Sequence, residues 1–304
     1  MEYVLTTEHL QKKYRHFKAL DDVTMHVPKG AIYGFVGRNG AGKTTLIRLV
    51  CGLQKATGGE YTLYGTGSKE KGIERARRRV GAVVETPSVY QHMTAEENLR
   101  HQYQIIGLPS EEGIGELLAL VGLSDTGKKK AGDFSMGMRQ RLGIAVALAG
   151  NPDFLLLDEP SNGLDPQGIV EMRELILKLN REYQITVLIS SHILGELSRL
   201  ATHYGFIDRG QMVREISAKE LEESCQKCIH VEVTDIQALA KVLDGRGIRY
   251  AILSETAADI YGQMEVTELT LALAAEGCKI KTLHEKDESL EGYFISLVGG
   301  ESHA

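Results

Sequence analysis

The sequence predicts an α/β protein in which a mainly parallel sheet flanked by helices fills about the first 215 residues and a smaller α+β unit follows. Three observations carry this. AIYGFVG (31–37), FLLLD (154–158) and ITVLIS (185–190) are apolar almost throughout, as central parallel strands covered on both faces must be. Helical patterns with legible starts lie between them. From Ile216 the charge shifts: of a net −6, residues 216–304 carry 16 Asp/Glu against 8 Lys/Arg, which leaves the first 215 residues at +2.

Taken in order, VTMHV (23–27) alternates apolar and polar before the turn Pro28-Lys29-Gly30 and reads as a half-exposed strand. VGAVVE (80–85) is a short apolar strand ending in one carboxylate, Glu85. Thr94-Ala95-Glu96-Glu97 is a capping box that opens a helix with Leu99, Tyr103 and Ile106 on one stripe. Asp165-Pro166 starts another, whose Ile169, Met172, Leu175, Ile176 and Leu179 form an apolar face. YGFIDRGQMV (204–213) reads as a hairpin through Asp208-Arg209-Gly210. CIHVEV, IQALAKVL, IRYAIL, ADIYGQ, VTELTLALAAEG and KIKTLH then run strand, helix, strand, strand, helix, strand, the order of a ferredoxin-like sandwich. A last helix, LEGYFISLV, presents Leu290, Phe294 and Leu297 on one side. The predicted domains are therefore 1–215, with a helical portion over about 86–150, and 216–304.

A chain of 304 residues has ample material for a buried core. Apolar stretches such as LGIAVALA (142–149) fall short of the roughly 20 residues that span a bilayer. The N-terminus MEYVLTTEHL lacks a charged-then-apolar export signal, so a cytoplasmic location is expected. Four cysteines (Cys51, Cys225, Cys228, Cys278) make no disulfide framework, and the CQKC spacing has neither a second pair nor a His cluster to complete a metal site. The acidic C-terminal part argues against nucleic acid or anionic lipid as its ligand. Arg75, Arg77, Arg78 and Arg79, like Lys128, Lys129 and Lys130, read as solvated basic faces.

The strongest chemical signal is GRNGAGKTT (37–45). It satisfies G-x-x-x-x-G-K-[ST] with Gly37, Gly42, Lys43 and Thr44, follows a strand and precedes a helical pattern. Such glycines let backbone N–H groups turn inward around phosphate oxygens, the helix N-terminus adds partial positive charge, and the lysine reaches the terminal phosphates. The candidate nucleotide cradle, a motif that kinases, GTPases and ATPases share, is thus Gly37, Arg38, Asn39, Gly40, Ala41, Gly42, Lys43, Thr44 and Thr45, with the Thr44 hydroxyl offered to Mg²⁺. FLLLDEP (154–160) ends an apolar strand in two adjacent carboxylates, which a pleated strand directs to opposite faces. Asp158 can serve Mg²⁺ while Glu159 faces an attacking water, a general-base role worth ~10²–10⁴ in rate.

Between these motifs lies FSMGMRQRLGIAVAL (134–148), and here the sequence resembles the ATP-binding subunits of ABC transporters. Their signature loop is normally LSGGQ; Phe134 stands for Leu, Met136 for Gly and Met138 for Gln. The resemblance implies a P-loop NTPase of ABC type, with a RecA-like core and antiparallel β and helical subdomains. It implies an ATPase motor in which ATP and Mg²⁺ lie between two chains, the partner being a second copy or a homologous ATP-binding subunit. Ser135, Gly137 and Met138 then cap the nucleotide bound to the opposite subunit, and Asp165 in SNGLD touches the partner's cradle. His192 resembles the switch histidine at the γ-phosphate, and Tyr14, or Phe17 in its place, the aromatic that stacks on adenine. The position of Glu85 is usually Gln; a carboxylate keeps the oxygen a hard cation wants and loses the amide donor. Glu85 is accordingly expected to face Mg²⁺. The resemblance further implies transmembrane permease chains as partners at the inner face of the membrane. The C-terminal part resembles that of bacitracin- and lantibiotic-resistance exporters, which points to export of a peptide antibiotic. The rival is a soluble ABC-type ATPase acting on nucleic acid or ribosomes, whose usual second cassette, coiled-coil insertion or basic surface is not visible here.

Overall fold

A computed structural model describes residues 2–108, 110–224, 228–261 and 265–286, and the chain divides into two units between Ala218 and Lys219. The first unit opens with β1 (Tyr3–Tyr14) and β2 (Phe17–Pro28), an antiparallel pair. Val23, Met25 and Val27 are buried while Thr24 between them is exposed, the alternation of a strand with one covered face. β3 (Ile32–Val36) enters a second sheet and leads into α1 (Lys43–Val50). β4 (Gly58–Leu63) and β5 (Thr66–Gly67) return to the first sheet, giving the order β2-β1-β4-β5. β1 and β4 carry no regular alternation in the sequence; β1 is interrupted by bulges with His9 in the left-handed region.

The second sheet gathers β6 (Val80–Val83), β7 (Phe154–Asp158), β8 (Thr186–Ser191), β9 (His203–Asp208) and β10 (Gln211–Ser217) around β3, in the order β10-β9-β3-β8-β7-β6. All pairs are parallel except the β9–β10 hairpin. Every residue of β3, β7 and β8 is buried. α2 (Ile73–Arg77) precedes β6, and α3 (Ala95–Ile106), α4 (Ile114–Leu120) and α5 (Met136–Leu148) lie between β6 and β7. α6 (Pro166–Tyr183) and the short α7 (Leu194–Leu197) flank β8 in sequence. Tyr33, Phe35, Leu46, Ile47, Phe154 and Leu156 share one core with Leu5, Leu10, Val23 and Met25, so the two sheets and α1 are packed around a single apolar centre.

The capping box is formed: Glu97 N–H donates to Thr94 Oγ1 at 3.1 Å and Thr94 N–H to Glu97 Oε2 at 2.6 Å. On the stripe it opens, Leu99 and Tyr103 are buried, but Ile106, in the last turn before α3 stops at Gly107, is 40% exposed. Two of the expected solvated arginines are tied in. Arg77 donates to the Tyr61 hydroxyl at 2.5 Å, and Arg79 pairs with Asp153 while its guanidinium lies 3.7 Å from the Tyr64 ring centroid.

In the second unit, after α8 (Ala218–Ser224), the elements are β11 (Cys228–Val233), α9 (Ile236–Asp244), β12 (Arg249–Ile252), β13 (Ala257–Tyr261), α10 (Val266–Ala275) and β14 (Ile280–Lys286). They form an antiparallel sheet of order β12-β13-β11-β14. Val231, Val233, Leu239, Leu243, Ile260, Leu269 and Leu273 make its core. The helix predicted over LEGYFISLV and Cys225 of the CQKC motif lie outside the described residues.

Candidate functional site

Parallel register sets the functional segments side by side. Val36 pairs with Ser191, Ser190 with Asp158, and Leu157 with Val83, so the loops leaving β3, β8, β7 and β6 emerge along one edge at the strands' carboxyl ends. In open α/β sheets that edge is where ligands bind.

The Gly37–Thr45 stretch joins β3 to α1. Gly42 has φ 113°, and a Cβ there would lie 2.5 Å from the Ala19 carbonyl oxygen, so the backbone both turns and packs in a way an L side chain forbids. α1 begins at Lys43 with no side-chain cap, which leaves its first amides for an anion. Lys43 is 5% exposed; its Nζ donates to the Gly37 carbonyl at 2.7 Å and stands 3.1 Å from Glu159 Oε1.

Asp158 and Glu159 part as a strand end requires. Asp158 is buried, and its Oδ1 accepts from Ser190 Oγ at 2.5 Å. Its Oδ2, also buried, has no hydrogen-bond partner among the described residues. Glu159 turns out of the strand with φ 50°, a left-handed conformation that costs a non-glycine residue roughly 1–2 kcal/mol and is held by its N–H donating to Ser190 Oγ at 3.0 Å. The turned carboxylate meets Lys43 on one side and His192 Nδ1, 2.5 Å from Oε2, on the other. Glu85 is likewise left-handed, φ 58°, and its Oε1 accepts from Arg48 at 2.7 Å.

Two adjoining clefts open here. One of about 650 Å³ is lined by Thr44, Glu85, Gln91, Gln140, Asp158 and Glu159 among others. The other, about 520 Å³, is lined by Tyr14, Phe17, Gly40, Lys43, Thr45 and Arg48 among others. Thr44, Glu159 and Asn162 border both. Tyr14 and the more exposed Phe17 thus border the same cleft as the cradle, with the Tyr14 hydroxyl bonded to Gln54 and Lys12 Nζ 5.0 Å from the Tyr14 ring centroid.

Ser135, Gly137, Met138 and Asp165 border neither cleft. Ser135 caps α5, accepting from Met138 N–H at 3.2 Å, and Asp165 caps α6, accepting from Gly168 N–H at 2.9 Å. The two caps are neighbours, for a Cβ on Gly137 would touch Leu164 and one on Gly163 would strike Met136. Sequence reasoning passed over Ser190, Arg48 and Asn162. Ser190 is one of two serines closing an apolar strand, and only parallel pairing with Asp158 reveals its task.

The donor set suits a small divalent cation bound with phosphate. Among the described residues no group of three or more His, Cys, Asp or Glu could hold a metal alone. Asp158, which carries the orphaned oxygen, and Thr44 border one cleft, Thr44 also borders the cleft lined by the rest of the cradle, and Mg²⁺ is characteristically held by one or two protein oxygens plus phosphates.

A phosphate cradle opening a helix, set beside a strand that ends in paired carboxylates, defines a P-loop nucleotide hydrolase. Residues 20–162 match the family described as ABC transporter. The chain is 40% identical over 304 residues to the bacitracin transport ATP-binding protein BcrA of Bacillus licheniformis, covering 99% of each. It is 39% identical over 305 residues to BcrA of Enterococcus faecalis, covering 99% of this chain and 98% of that one. The dimeric structure of MJ0796, a bacterial ABC transporter cassette, superposes with a TM-score of 0.63 at 25% identity over 70% of this chain and 98% of that one. The chain belongs to the ABC transporters as an ATP-binding, ATP-hydrolysing subunit. Such subunits dimerise and pair with transmembrane permeases. Among the described residues no helix is long and apolar enough to cross a membrane.

Proposed function

We propose that this chain is the motor of an exporter for a peptide antibiotic or similar compound, acting at the inner face of the cell membrane with a separate permease, and that each Mg-ATP is shared between two chains. The second chain is another copy or a homologous subunit. The observation that supports the shared site is the placement of the two capped loops: Met136 and Asn162 border the larger cleft, while Ser135, Gly137, Met138 and Asp165 beside them stand outside both clefts. They complete the site from across the dimer. Full-length similarity to BcrA supports the substrate class, and ATPases acting on nucleic acid are not favoured by an acidic second unit. That unit's strand order supports a ferredoxin-like sandwich appended to the motor.

Within the site, the amides of residues 37–45 and Lys43 bind the phosphates, and Tyr14 stacks on the adenine. Thr44 and Asp158 would hold Mg²⁺, with Glu85 facing the same cleft; the ion supplies charge neutralisation on the transferred phosphoryl oxygens. Lys43 exchanges Glu159 for phosphate oxygen, and the released carboxylate takes the proton of the attacking water. His192, bonded to Glu159, keeps that carboxylate aimed and reaches the γ-phosphate. Phosphoryl transfer needs little covalent work from the protein, so positioning and electrostatics carry the rate.

ATPase activity per chain, measured across a dilution series, is the test. It should fall as the dimer dissociates; constant activity down to monomeric concentrations contradicts the shared site.

A further inference from the structure

Arg48 lies four residues after Thr44 on α1, hence on the same helix face as the hydroxyl that borders both clefts. Its guanidinium reaches across to Glu85 Oε1 at 2.7 Å, at the far end of β6. The pair joins the helix that grows from the cradle to the segment leaving the sheet edge, with Arg48 bordering one cleft and Glu85 the other. The side chains are 34% and 58% exposed, so the bond contributes little to fold stability. Its placement has another consequence. Asp158, Glu159 and Glu85 all border the larger cleft, as does Arg139; Lys43 pairs with Glu159, and the cation that meets Glu85 is Arg48. A polyanionic ligand entering beside a third, unopposed carboxylate would be repelled.

The geometry points to Arg48 as a positioning residue that acts through Glu85: it cancels the Glu85 charge and holds that carboxylate at the cleft wall, so that the oxygen remains available while the repulsion toward the triphosphate is removed. This rests on the reading of the clefts as the ATP site. It assigns a task to a residue of the α1 helix that the phosphate-binding motif does not include. The left-handed backbone at Glu85 fits such a held side chain, since the carboxylate's bond to Arg48 helps sustain the turn against strain.

The test is a double-mutant cycle on the full chain with Arg48→Gln, Glu85→Gln and the double variant. ATP affinity is measured by calorimetry with and without Mg²⁺, alongside the melting temperature of the nucleotide-free protein. Arg48→Gln should weaken Mg²⁺-free ATP binding about tenfold, the effect of one unopposed charge at short range in a partly solvated cleft. Glu85→Gln should not weaken it, and the double variant should bind as Glu85→Gln does. Arg48→Lys, which keeps the charge, should bind ATP close to the wild type, and KM should move more than kcat. Melting temperatures should be nearly unchanged. An equal loss from Arg48→Gln in the Glu85→Gln background shows Arg48 acting on the nucleotide directly and overturns the proposal. So does an Arg48→Gln variant with unaltered affinity. If the wild-type chain itself binds no ATP, the reading of the clefts fails and this role fails with it.

Discussion

Lys43 Nζ stands 3.1 Å from Glu159 Oε1, so the cation that a phosphate would claim is held by the carboxylate that an attacking water would need. Both side chains are largely withdrawn from solvent, 5% and 19% exposed, and neither can lose its partner without leaving a poorly solvated charge. On the proposed function, phosphate entry would give Lys43 a new anion and leave the carboxylate attached to His192.

Replacing Glu159 by Gln separates binding from turnover. The amide is neutral and no longer competes for Lys43, so ATP affinity should be retained or strengthened, while the loss of a general base lowers turnover by ~10² or more. Calorimetry and steady-state ATPase assays check the two halves independently. Lost binding would show Glu159 to be a structural partner of the cradle, and unaltered turnover would remove it from the chemistry.

Ser190 links the two carboxylates. Its hydroxyl donates to Asp158 Oδ1 at 2.5 Å and accepts from Glu159 N–H at 3.0 Å, fixing which Asp158 oxygen is left over and supporting the left-handed turn. Ser190→Ala should destabilise the fold by about 1–3 kcal/mol, the range for a buried acceptor left without its donor. It should also shift the Mg²⁺ dependence of ATP hydrolysis to higher concentration, because Asp158 is then free to rotate. A Mg²⁺ titration that matches the wild type would confine Ser190 to packing.

The parts of this site legible in the sequence are those in which local chain geometry is itself the function. Gly42 and Lys43 sit in a turn whose residue spacing is that of a phosphate-binding motif, and Asp158-Glu159 are adjacent charges at the end of a buried strand. Ser135 and Asp165 were readable as caps because a cap is satisfied within three residues. What the sequence hides depends on contacts between segments distant along the chain. Ser190 meets Asp158 through parallel register across 32 residues, and Arg48 meets Glu85 across 37. β1 is hidden in the sequence because its bulges break the two-residue period that marks a strand. Ile106 shows the opposite error, where helical period continues past the point at which tertiary cover ends.

The capping box at the start of α3 offers a prediction that depends on pH. The Glu97 carboxylate accepts from the Thr94 N–H and then from Lys130, and these donors pull its pKa down from 4.5 to about 2. A carboxyl group whose folded value lies below its unfolded one stabilises the fold at every pH above the unfolded value. That contribution is lost as pH falls from about 4.5 toward 2. Glu97→Ala should therefore lower the melting temperature by a constant amount between neutral pH and about pH 5, and the difference from wild type should shrink on further acidification as the native carboxylate protonates. Thr94→Ala removes the other half of the box, at about 1 kcal/mol, and its effect should persist where that of Glu97 fades, because the hydroxyl does not titrate. Melting curves of the two variants at matched pH separate the halves. A Glu97→Ala difference undiminished near pH 2 would mean that its side chain acts by packing rather than by charge.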